Sequence, residues 1–384
     1  MLTSLRSWLR ILAESAAVAI LPLFVRRTSR RQARVLIFKP DRLGDLIVVA
    51  PHIQAMIGLF GPEEIVLVVT DANQAAARLL FPLCELIVVP LYLPLTRWKT
   101  WLSVMRSIAS IEAEHALFIR HYMRFPHTKA MWRVARARNK IWVKKAAGHV
   151  LSPASDTWLM NGRGLIIDTP PAPRESVETH VAKAMLVEVC GAGARPAPLA
   201  RPAFRQTDTA NGFPTQAIVF PFSNSPLRDL PAGMSASIVT HLVQKHGLRV
   251  ALCGTPDRRS DLDRIATLAK ESLELDQRDR ATVFIPSRFE TFYQAILDAR
   301  IVISTDTGSA HVAIVHDRPM VGLLGGGQFG IFAPWSVSDR QTWVSHSLPC
   351  YGCNWNCKFE RAHCVTDIPL PAIHDAIDGV LAQP

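Results

Sequence analysis

A chain of 384 residues is longer than one hydrophobic core usually organises, so about two domains are expected. Its hydrophobic fraction of 49% excludes global disorder. The formal net charge of +11 is concentrated in two segments: residues 1–34 hold seven arginines against one glutamate, and residues 116–155 hold nine Lys or Arg residues and no acidic one. Such localised charge indicates two separate anionic contacts rather than a uniformly cationic protein.

The N-terminal segment has an apolar stretch, Ile11–Val25, which is shorter than the roughly 20 residues that span a bilayer. Its densest charge follows the apolar stretch, the reverse of the order in a signal peptide. We therefore expect an amphipathic helix at a membrane surface; a helix packed on the protein's own surface is the alternative. The apolar side chains expected in the headgroup region are Trp8, Leu9, Leu12, Leu21 and Phe24.

Short β-branched runs alternate with helical patterns, which predicts an α/β fold of parallel sheets covered by helices on both faces. The predicted strands are Val35–Phe38, Ile65–Val69, Leu86–Val89, Ala116–Ile119, Leu165–Ile167, Ala217–Phe220, Arg249–Cys253, Thr282–Ile285, Ile301–Ser304 and Met320–Leu324. Predicted helices include Pro51–Leu59, Val177–Val189 and Ala232–His246. The domain prediction is a basic segment 1–33, a first doubly wound domain 34–195, a Pro-rich linker 196–214 and a second doubly wound domain 215–384.

Ligands of open parallel sheets bind beyond the carboxyl ends of the strands, so the chemistry is expected in the loops that follow them. No G-x-G-x-x-G follows the first strand, which disfavours a dinucleotide dehydrogenase. That loop instead carries Gly44 and Asp45, with Asp45 at the start of a helix. The Asp45 carboxylate can cap the helix, or it can act as a general base facing a cleft between the domains.

The loops of the second half offer groups suited to a nucleotide diphosphate. Arg228 can bind phosphate through a two-pronged fork, and the helix that starts after Asp306-Thr307-Gly308 presents unpaired N–H groups to an anion. A solvated arginine and a capped turn with a core histidine are the alternatives. The predicted donor-binding residues are Ser223, Asn224, Arg228, Gly254, Asp257, Asp306, Thr307, Gly308, His311 and Gly325.

Seven cysteines divide into two groups. Cys84, Cys190 and Cys253 lie in apolar contexts and are expected to be buried thiols. The other four, Cys350, Cys353, Cys357 and Cys364, are expected to be reduced structural thiols in a loop 350–364 that serves the acceptor or a lid. A zinc site of four thiolates stays open as the alternative.

Three separated motifs resemble glycosyltransferase family 9, the ADP-heptose:lipopolysaccharide heptosyltransferases of Gram-negative bacteria. RVLIFKPDRLGDLIVVAPHIQAM (34–56) resembles the family's opening strand, Gly-Asp loop and Pro-containing helix. PFSNSPLRDLP (221–231) is similar to its Pro-Gly-x-Ser…Lys-x-Trp-Pro pattern, and STDTGSAHVAIVHDRPMVGLLG (304–325) to its Asp-Thr-Gly-x-x-His segment. The resemblance covers most of residues 34–384.

This resemblance implies a GT-B fold of two Rossmann-like domains facing a cleft, and inverting, metal-independent transfer without a cofactor. It implies that Asp45 deprotonates the acceptor, that the Asp306–His311 segment holds the donor, and that Arg228 neutralises the leaving phosphates. The donor would be a nucleotide sugar, ADP-heptose by family analogy, and the acceptor an anionic glycolipid or glycan contacted by Arg120, Arg124 and Lys129. The basic N-terminus would keep the enzyme peripheral at the cytoplasmic face of the inner membrane.

The chain also departs from the family pattern. Arg228 stands where the family usually has Lys, Phe222 where it has Gly, and Leu230 where it has Trp; a nucleotide-contacting Glu falls near Arg258, beside Asp257. Two other functions compete with catalysis: an inactive nucleotide-binding protein of the membrane surface, and a nucleic-acid-binding protein. The latter is not expected, because a patch that binds nucleic acid needs neither Asp45 nor a phosphate site.

Overall fold

The computed structural model describes residues 15–25, 31–120, 126–146, 160–204 and 216–383. Trp8, Leu9, Leu12 and Arg124 lie outside these residues, as does most of the predicted linker, and so do parts of both basic segments. Two compact units divide the chain: the first comprises Met1–Ala172 with Val177–Ala197, and the second Pro173–Ser176 with Pro198–Pro384. The segment Pro173–Ser176 therefore packs with the second unit, although the predicted first domain runs to residue 195.

The first unit is built on a parallel six-stranded sheet of order β3-β2-β1-β4-β5-β6. Its strands are β1 (Arg31–Phe38), β2 (Ile65–Thr70), β3 (Glu85–Val89), β4 (Ile111–Phe118), β5 (Arg136–Ala146) and β6 (Arg163–Ile167). The helices that cover it are α1 (Leu43–Phe60), α2 (Gln74–Leu80), α3 (Trp98–Ala109), α4 (Pro126–Val134) and α5 (Val177–Cys190). Every residue of β2 is buried, as expected of a strand covered on both faces.

The second unit repeats this architecture with a parallel six-stranded sheet of order β12-β11-β10-β7-β8-β9. Its strands are β7 (Ala217–Phe220), β8 (Val250–Cys253), β9 (Ala281–Phe284), β10 (Ile301–Thr305), β11 (Met320–Leu324) and β12 (Gln341–Ser345). Its helices are α6 (Ala232–Gln244), α7 (Arg259–Glu271), α8 (Phe289–Asp298), α9 (Gly308–Val315), α10 (His363–Thr366) and α11 (Leu370–Leu381). Counted from its own first strand, each sheet has the order 3-2-1-4-5-6 typical of Rossmann folds.

The strand order creates one switch point in each sheet, where chain connections leave in opposite directions from two adjacent strands. In the first sheet it lies between β1 and β4, whose register places Phe38 opposite Phe118. In the second it lies between β7 and β10, where Phe220 is opposite Ser304. The loops that start at Lys39 and Ile119, and those that start at Pro221 and Asp306, therefore leave their sheets side by side.

All ten predicted strands are present, and two further strands were missed. β5 occupies the basic segment that the charge pattern had suggested as a ligand surface. Within it Trp142 is 5% exposed, and the neighbouring Trp132 is fully buried against Phe38 and Phe118. These two tryptophans belong to the core of the first unit, where the ammonium of Lys140 lies 4.9 Å from the ring centroid of Trp132.

The described part of the N-terminal segment, residues 15–25, packs partly on the first unit, and its contact with a membrane surface stays a prediction. Ala17, Val18 and Val25 are buried in the core of the first unit. Ile20, Leu23 and Phe24 remain 50%, 79% and 65% exposed. By length and composition α1 could cross a membrane, but it also packs against α2 and α5 with residues such as Leu46 and Ile53 fully buried, as a core helix does.

Candidate active site

Arg228 connects the loop after β7 to the loop after β10. It ends a short 3-10 turn, Pro226–Arg228, and its Nη1 donates a 2.9 Å hydrogen bond to the carbonyl oxygen of Asp306. The same nitrogen lies 3.9 Å from Oδ2 of Asp306, and Nη2 donates to Oδ1 of Asn224. The guanidinium is thereby held at the switch point of the second sheet. Three predicted donor residues meet there.

The turn after β10 places a buried acid and a buried base next to each other. Asp306 is 6% exposed and His311 is 3% exposed, and Oδ1 of the acid lies 3.6 Å from Nε2 of the imidazole. Trp335 donates a 3.0 Å hydrogen bond from its indole N–H to Nδ1 of His311. Since Nδ1 accepts this bond, the proton of the neutral ring is on Nε2 and faces Asp306.

Burial governs the ionisation of this pair. It lowers the pKa of His311 to about 3, with a smaller contribution from the charge of Arg228, so the imidazole is neutral at physiological pH. Burial also raises the pKa of Asp306, an effect that the Arg228 guanidinium partly offsets. The single permanent positive charge of the three groups is thus that of Arg228.

Helix α9 begins at Gly308 and has an open N-terminus. Thr307 occupies the N-cap position but makes no side-chain cap, so the capped turn that was the alternative to an anion site does not form through this residue. Its hydroxyl lies 2.7 Å from that of Ser309, which in turn is 2.8 Å from Oγ of Ser304. The first N–H groups of α9 therefore lack a side-chain acceptor from this turn, an arrangement that suits an anion.

The loop after β7 is held from its other side by the loop after β8. Asp229 accepts hydrogen bonds from the backbone N–H of Ser223 (2.7 Å) and from Nη2 of Arg258 (2.6 Å). Arg258 also stacks on the ring of Phe222 at 4.1 Å. Asp257 is exposed, and a hydrogen bond from Thr255 lowers the pKa of its carboxyl.

Gly254 and Gly325 have packing neighbours that account for the absence of a side chain. A Cβ at Gly254 would lie 3.0 Å from Leu262. A Cβ at Gly325 would lie 2.5 Å from Val365 and 2.8 Å from Trp355. Close approach of a ligand is therefore not needed to explain either glycine, and their predicted donor contacts remain predictions.

Asp45 lies in the first turn of α1, at the carboxyl end of β1. Its Oδ2 accepts a 3.1 Å hydrogen bond from the backbone N–H of Arg42, so it performs the capping role considered for it. The side chain is only partly buried. Capping fixes the direction of the carboxylate while leaving it accessible, which is compatible with a second role as a base.

The backbone that precedes Asp45 in the sequence is held by a cluster of buried charged side chains. Nζ of Lys39 lies 3.0 Å from Asp41, 3.0 Å from Glu178 and 2.8 Å from the carbonyl of Ile119, and all three ionisable side chains are at most 1% exposed. Arg120 completes the cluster through an ion pair with Asp41. Arg120 was predicted to contact the acceptor, and the structure gives it this structural partner. Lys129 lies on α4 and is half-buried, and Arg124 is outside the described residues.

Residues 233–362 match the family model of glycosyltransferase family 9 (heptosyltransferase). The resemblance to family 9 is confirmed. No curated protein shows significant sequence similarity to the chain.

Solved structures of heptosyltransferases share the fold at low identity. The E. coli heptosyltransferase WaaC with ADP is 16% identical, with 90% of this chain and 97% of that chain covered and a TM-score of 0.59. The E. coli ADP-heptose LPS heptosyltransferase II is 15% identical (91% and 98% covered, TM-score 0.60), and a family 9 glycosyltransferase from Veillonella parvula is 16% identical (93% and 99% covered, TM-score 0.64). The predicted α/β GT-B fold class is thus confirmed.

The segment 233–362, which matches family 9, contains Asp306, His311 and the glycine loop Gly325–Gly327. Asp45 and Arg228 lie outside this segment. It also contains most of the Cys-rich loop, which packs on Gly325–Gly327. The backbone N–H of Gly352 donates to Gly326 O (2.8 Å), and that of Asn354 donates to Gly327 O (2.7 Å). Trp355 contacts the region of the predicted donor-binding residues, because the guanidinium of Arg228 lies 5.7 Å from the centroid of its ring.

All seven cysteines are free thiols. Cys190 is half-buried, so the expectation of a buried thiol was wrong for it, because the C-terminal end of α5 is less covered than its centre. Cys350, Cys353, Cys357 and Cys364 line one small cavity with His363. Among the described residues, no three of these groups bring their ligand atoms within 4.8 Å of one another, and the choice between structural thiols and a metal site stays open.

Asp229, Arg258, Trp335 and Trp355 were not predicted as site residues. Each acts through a contact between loops that are far apart in sequence, such as the 29-residue separation of Arg258 and Asp229. Of these four residues, only Asp229 could have been proposed from the sequence, because it follows Arg228 in a loop already rich in polar groups.

Proposed function

We propose that this protein is an inverting glycosyltransferase that moves a heptose from ADP-heptose to a lipopolysaccharide core or a related anionic glycan. The observation that carries the proposal is the group of Arg228, Asp306 and His311 at the switch point of a sheet, in a chain whose residues 233–362 match the family 9 model. The E. coli heptosyltransferase structures contain ADP and ADP-2-deoxy-2-fluoro heptose, which supports an ADP-linked donor.

The second unit supplies what a leaving nucleoside diphosphate needs. The guanidinium of Arg228 can bind two phosphate oxygens, and the open N-terminus of α9 presents backbone N–H groups with the positive end of its dipole. Both features stabilise negative charge that develops as the bond to the sugar breaks. The neutral ring of His311 directs its Nε2–H toward Oδ1 of Asp306, 3.6 Å away, and adds no charge.

Asp45 is the proposed base. Its carboxylate takes the proton of an acceptor hydroxyl, the oxygen forms a bond to the anomeric carbon, and the electron pair of the breaking bond leaves with the diphosphate. Attack from the face opposite the leaving group inverts the anomeric configuration. General-base help of this kind contributes about 10²–10⁴-fold to the rate.

We propose that the transfer needs neither a cofactor nor a metal ion. One Asp-x-Asp spacing, of the kind that holds metal in other glycosyltransferases, occurs at Asp261 and Asp263. Both side chains lie on α7 and pair with arginines, Asp261 with Arg258 (3.3 Å) and Asp263 with Arg259 (3.4 Å). Charge neutralisation by Arg228 and α9 replaces a divalent cation in the proposed reaction.

The proposed acceptor is anionic, and the proposed location is the cytoplasmic face of the inner membrane. Arg120, Arg124 and Lys129 belong to the basic segment that follows β4 in sequence. The side chains of Ile20, Leu23 and Phe24 are exposed and precede a run of arginines in the sequence, which supports binding to an anionic lipid surface.

Replacement of Asp45 by Asn tests the catalytic assignment. We expect Asp45→Asn to lower kcat about 10²–10⁴-fold while the Kd for ADP stays within a factor of two of the wild-type value, because the base acts on the acceptor. Isothermal titration measures ADP binding, and a coupled assay for released ADP measures transfer.

The matched control is Asp168→Asn, an exposed carboxylate of the same unit, which leaves both quantities unchanged. Full transfer by Asp45→Asn overturns the assignment of the base. ADP binding with no transfer from any nucleotide sugar indicates an inactive nucleotide-binding protein. Salt-sensitive DNA binding, with no thermal stabilisation by ADP, indicates a nucleic-acid-binding protein instead.

A further inference from the structure

Two helices of the second unit bring together three metal-ligating side chains away from the donor loops. His241 lies in the last turn of α6, His246 follows that helix, and Asp378 is near the C-terminus of α11. Because α6 runs back from the carboxyl end of β7 to the start of β8, its C-terminus lies at the opposite edge of the sheet from Arg228 and Asp306. This cluster therefore belongs to neither half of the proposed transfer reaction.

The ligand atoms of these side chains converge on one point. Nε2 of His241 and Nε2 of His246 lie 2.8 and 2.7 Å from the same oxygen, Oδ1 of Asp378, and the three atoms are within 4.8 Å of one another. The side chains are 13%, 19% and 25% exposed. Half-burial limits competition from water while leaving a path for an ion to enter.

A neighbouring side chain fixes the orientation of the first imidazole. The ring of His374 stacks on that of His241, with centroids 4.1 Å apart and planes 5° from parallel. Nε2 of His374 lies 3.3 Å from Oγ of Ser237. Such outer contacts orient ligands and raise metal affinity.

We propose that His241, His246 and Asp378 form a binding site for a divalent transition-metal ion of the zinc class. Two imidazoles and one carboxylate suit zinc, and the remaining position is left to water. In the metal-free cluster both Nε2–H groups donate to Oδ1. On binding, each ring carries its proton on Nδ1 instead and turns the Nε2 lone pair to the ion, so neutral rings release no net proton.

The geometry requires only a small adjustment. Bonds of about 2.0 Å at a tetrahedral centre separate the ligand atoms by roughly 3.3 Å, about half an ångström more than the two distances from Nε2 to Oδ1 of Asp378. Lys245 opposes the ion, because its ammonium lies 2.6 Å from Oδ2 of the same carboxylate. The bound ion would connect the end of α6 to the C-terminal helix α11 and stabilise the second unit.

Titration of the metal-free full-length protein with Zn²⁺ tests the site, with Tm as a second readout. We expect Zn²⁺ to raise the Tm of the wild type by mass action. The variants His246→Ala and Asp378→Asn should each weaken binding by about ten-fold or more, since loss of an outer contact alone costs about 10–100-fold. His246 follows the helix and Asp378→Asn keeps the side-chain shape, so at least one of these variants is expected to fold.

Two further variants sharpen the test. Lys245→Met removes the competing charge from an exposed position and should tighten Zn²⁺ binding, whereas His180→Ala, in the first unit, should not change it. Co²⁺ separates this site from the cysteines, because thiolate ligands give intense near-ultraviolet charge-transfer bands and a His/Asp site gives only visible d–d bands. The proposal is overturned if His246→Ala and Asp378→Asn retain the visible bands and the wild-type Zn²⁺ affinity.

Discussion

Lys39 illustrates how a buried charged side chain can determine the position of a loop, here the loop that carries the proposed base. It is 1% exposed and sits between Asp41 and Glu178, directly after the strand that leads to Asp45. Thr70 adds a 2.5 Å hydrogen bond to the carbonyl of Asp41, and Asn73 adds one of 3.0 Å to that of Lys39. The chain between β1 and α1 is thereby bound to β2, β4 and α5 at once.

Replacement of Lys39 by Met should be strongly destabilising. The change removes a cation shared by two buried carboxylates, and breaking a buried pair in this way costs about 3–5 kcal/mol of the free energy of unfolding. Urea denaturation measures this cost. Lys145→Met removes a half-exposed pair with Asp168 and should cost less than about 1 kcal/mol. Equal effects of the two variants would contradict a special role for the buried cluster.

The residues that directly follow strands could be predicted from the sequence, whereas the residues that hold those loops in place could not. Asp45, Arg228, Asp306 and His311 could be located because parallel strands direct their next loops to one edge of a sheet. The burial of Lys39 could not be inferred, since lysine is almost always exposed and its two carboxylate partners lie 2 and 139 residues away. Only the folded chain brings these charges together.

At the scale of elements, the glycine loop and the Cys-rich loop form one structure. The side chains of Tyr351 and Trp355 occupy the space where Cβ atoms of Gly326 and Gly327 would be. Two backbone hydrogen bonds connect the loops, and Trp355 contacts Arg228. The Cys-rich loop is thus connected to the donor region through its tryptophan, whatever state its thiols adopt.

Gly326→Ala should therefore weaken donor binding. The added Cβ overlaps the ring of Tyr351 and displaces the Cys-rich loop with Trp355; overpacking of this kind costs about 1–3 kcal/mol. We expect a higher Kd for ADP and a changed tryptophan near-ultraviolet CD signal. In the matched control, Gly233→Ala on α6, the new methyl group has no neighbour within 4 Å and both readouts should stay as in the wild type. An unchanged ADP affinity in Gly326→Ala would separate the loop from the donor region.

Two strands escaped prediction for physical reasons that differ. β5 lies between β4 and β6 in the sheet. It begins with the polar run Arg136-Ala137-Arg138-Asn139-Lys140 before its buried Ile141–Val143, and this charged run does not have the apolar pattern expected of a strand. β12 is five residues long and forms the edge of its sheet, where a strand needs few apolar residues. Central strands such as β2 and β10 were recognisable because every one of their residues is buried, and burial on both faces demands continuous β-branched runs.

At the scale of the whole molecule, buried neutral histidines make stability sensitive to acid. Burial lowers the pKa of His127 to about 4, and that of His316 to about 4 with help from the charges of Arg201 and Arg318. Each lies below the value of 6.5 for an unperturbed histidine. The unfolded chain therefore binds protons that the folded chain excludes, and stability is complete above about pH 6.5 and falls below it.

The variant His127→Gln measures one such contribution outside the donor region. Each pH unit between about 6.5 and 4 costs about 1 kcal/mol per buried neutral histidine, so the variant should lose less stability than the wild type between pH 7 and pH 5. Urea titrations at both pH values give the difference. Identical pH dependence in His127→Gln and the wild type would show that this ring is protonated in the folded chain.

The same strand order in both sheets means that each unit has its own switch point and its own set of loops there. A substitution in the loops that follow β1 or β4 does not change the strand ends of the second sheet. Likewise, a substitution in the loops that follow β7 or β10 does not change the strand ends of the first sheet. Under the proposed function, acceptor specificity and donor specificity then depend on loops of different units and can change independently in evolution. Selection can diversify the glycan that is extended while the donor stays fixed, and recombination within 198–216 exchanges one trait without the other.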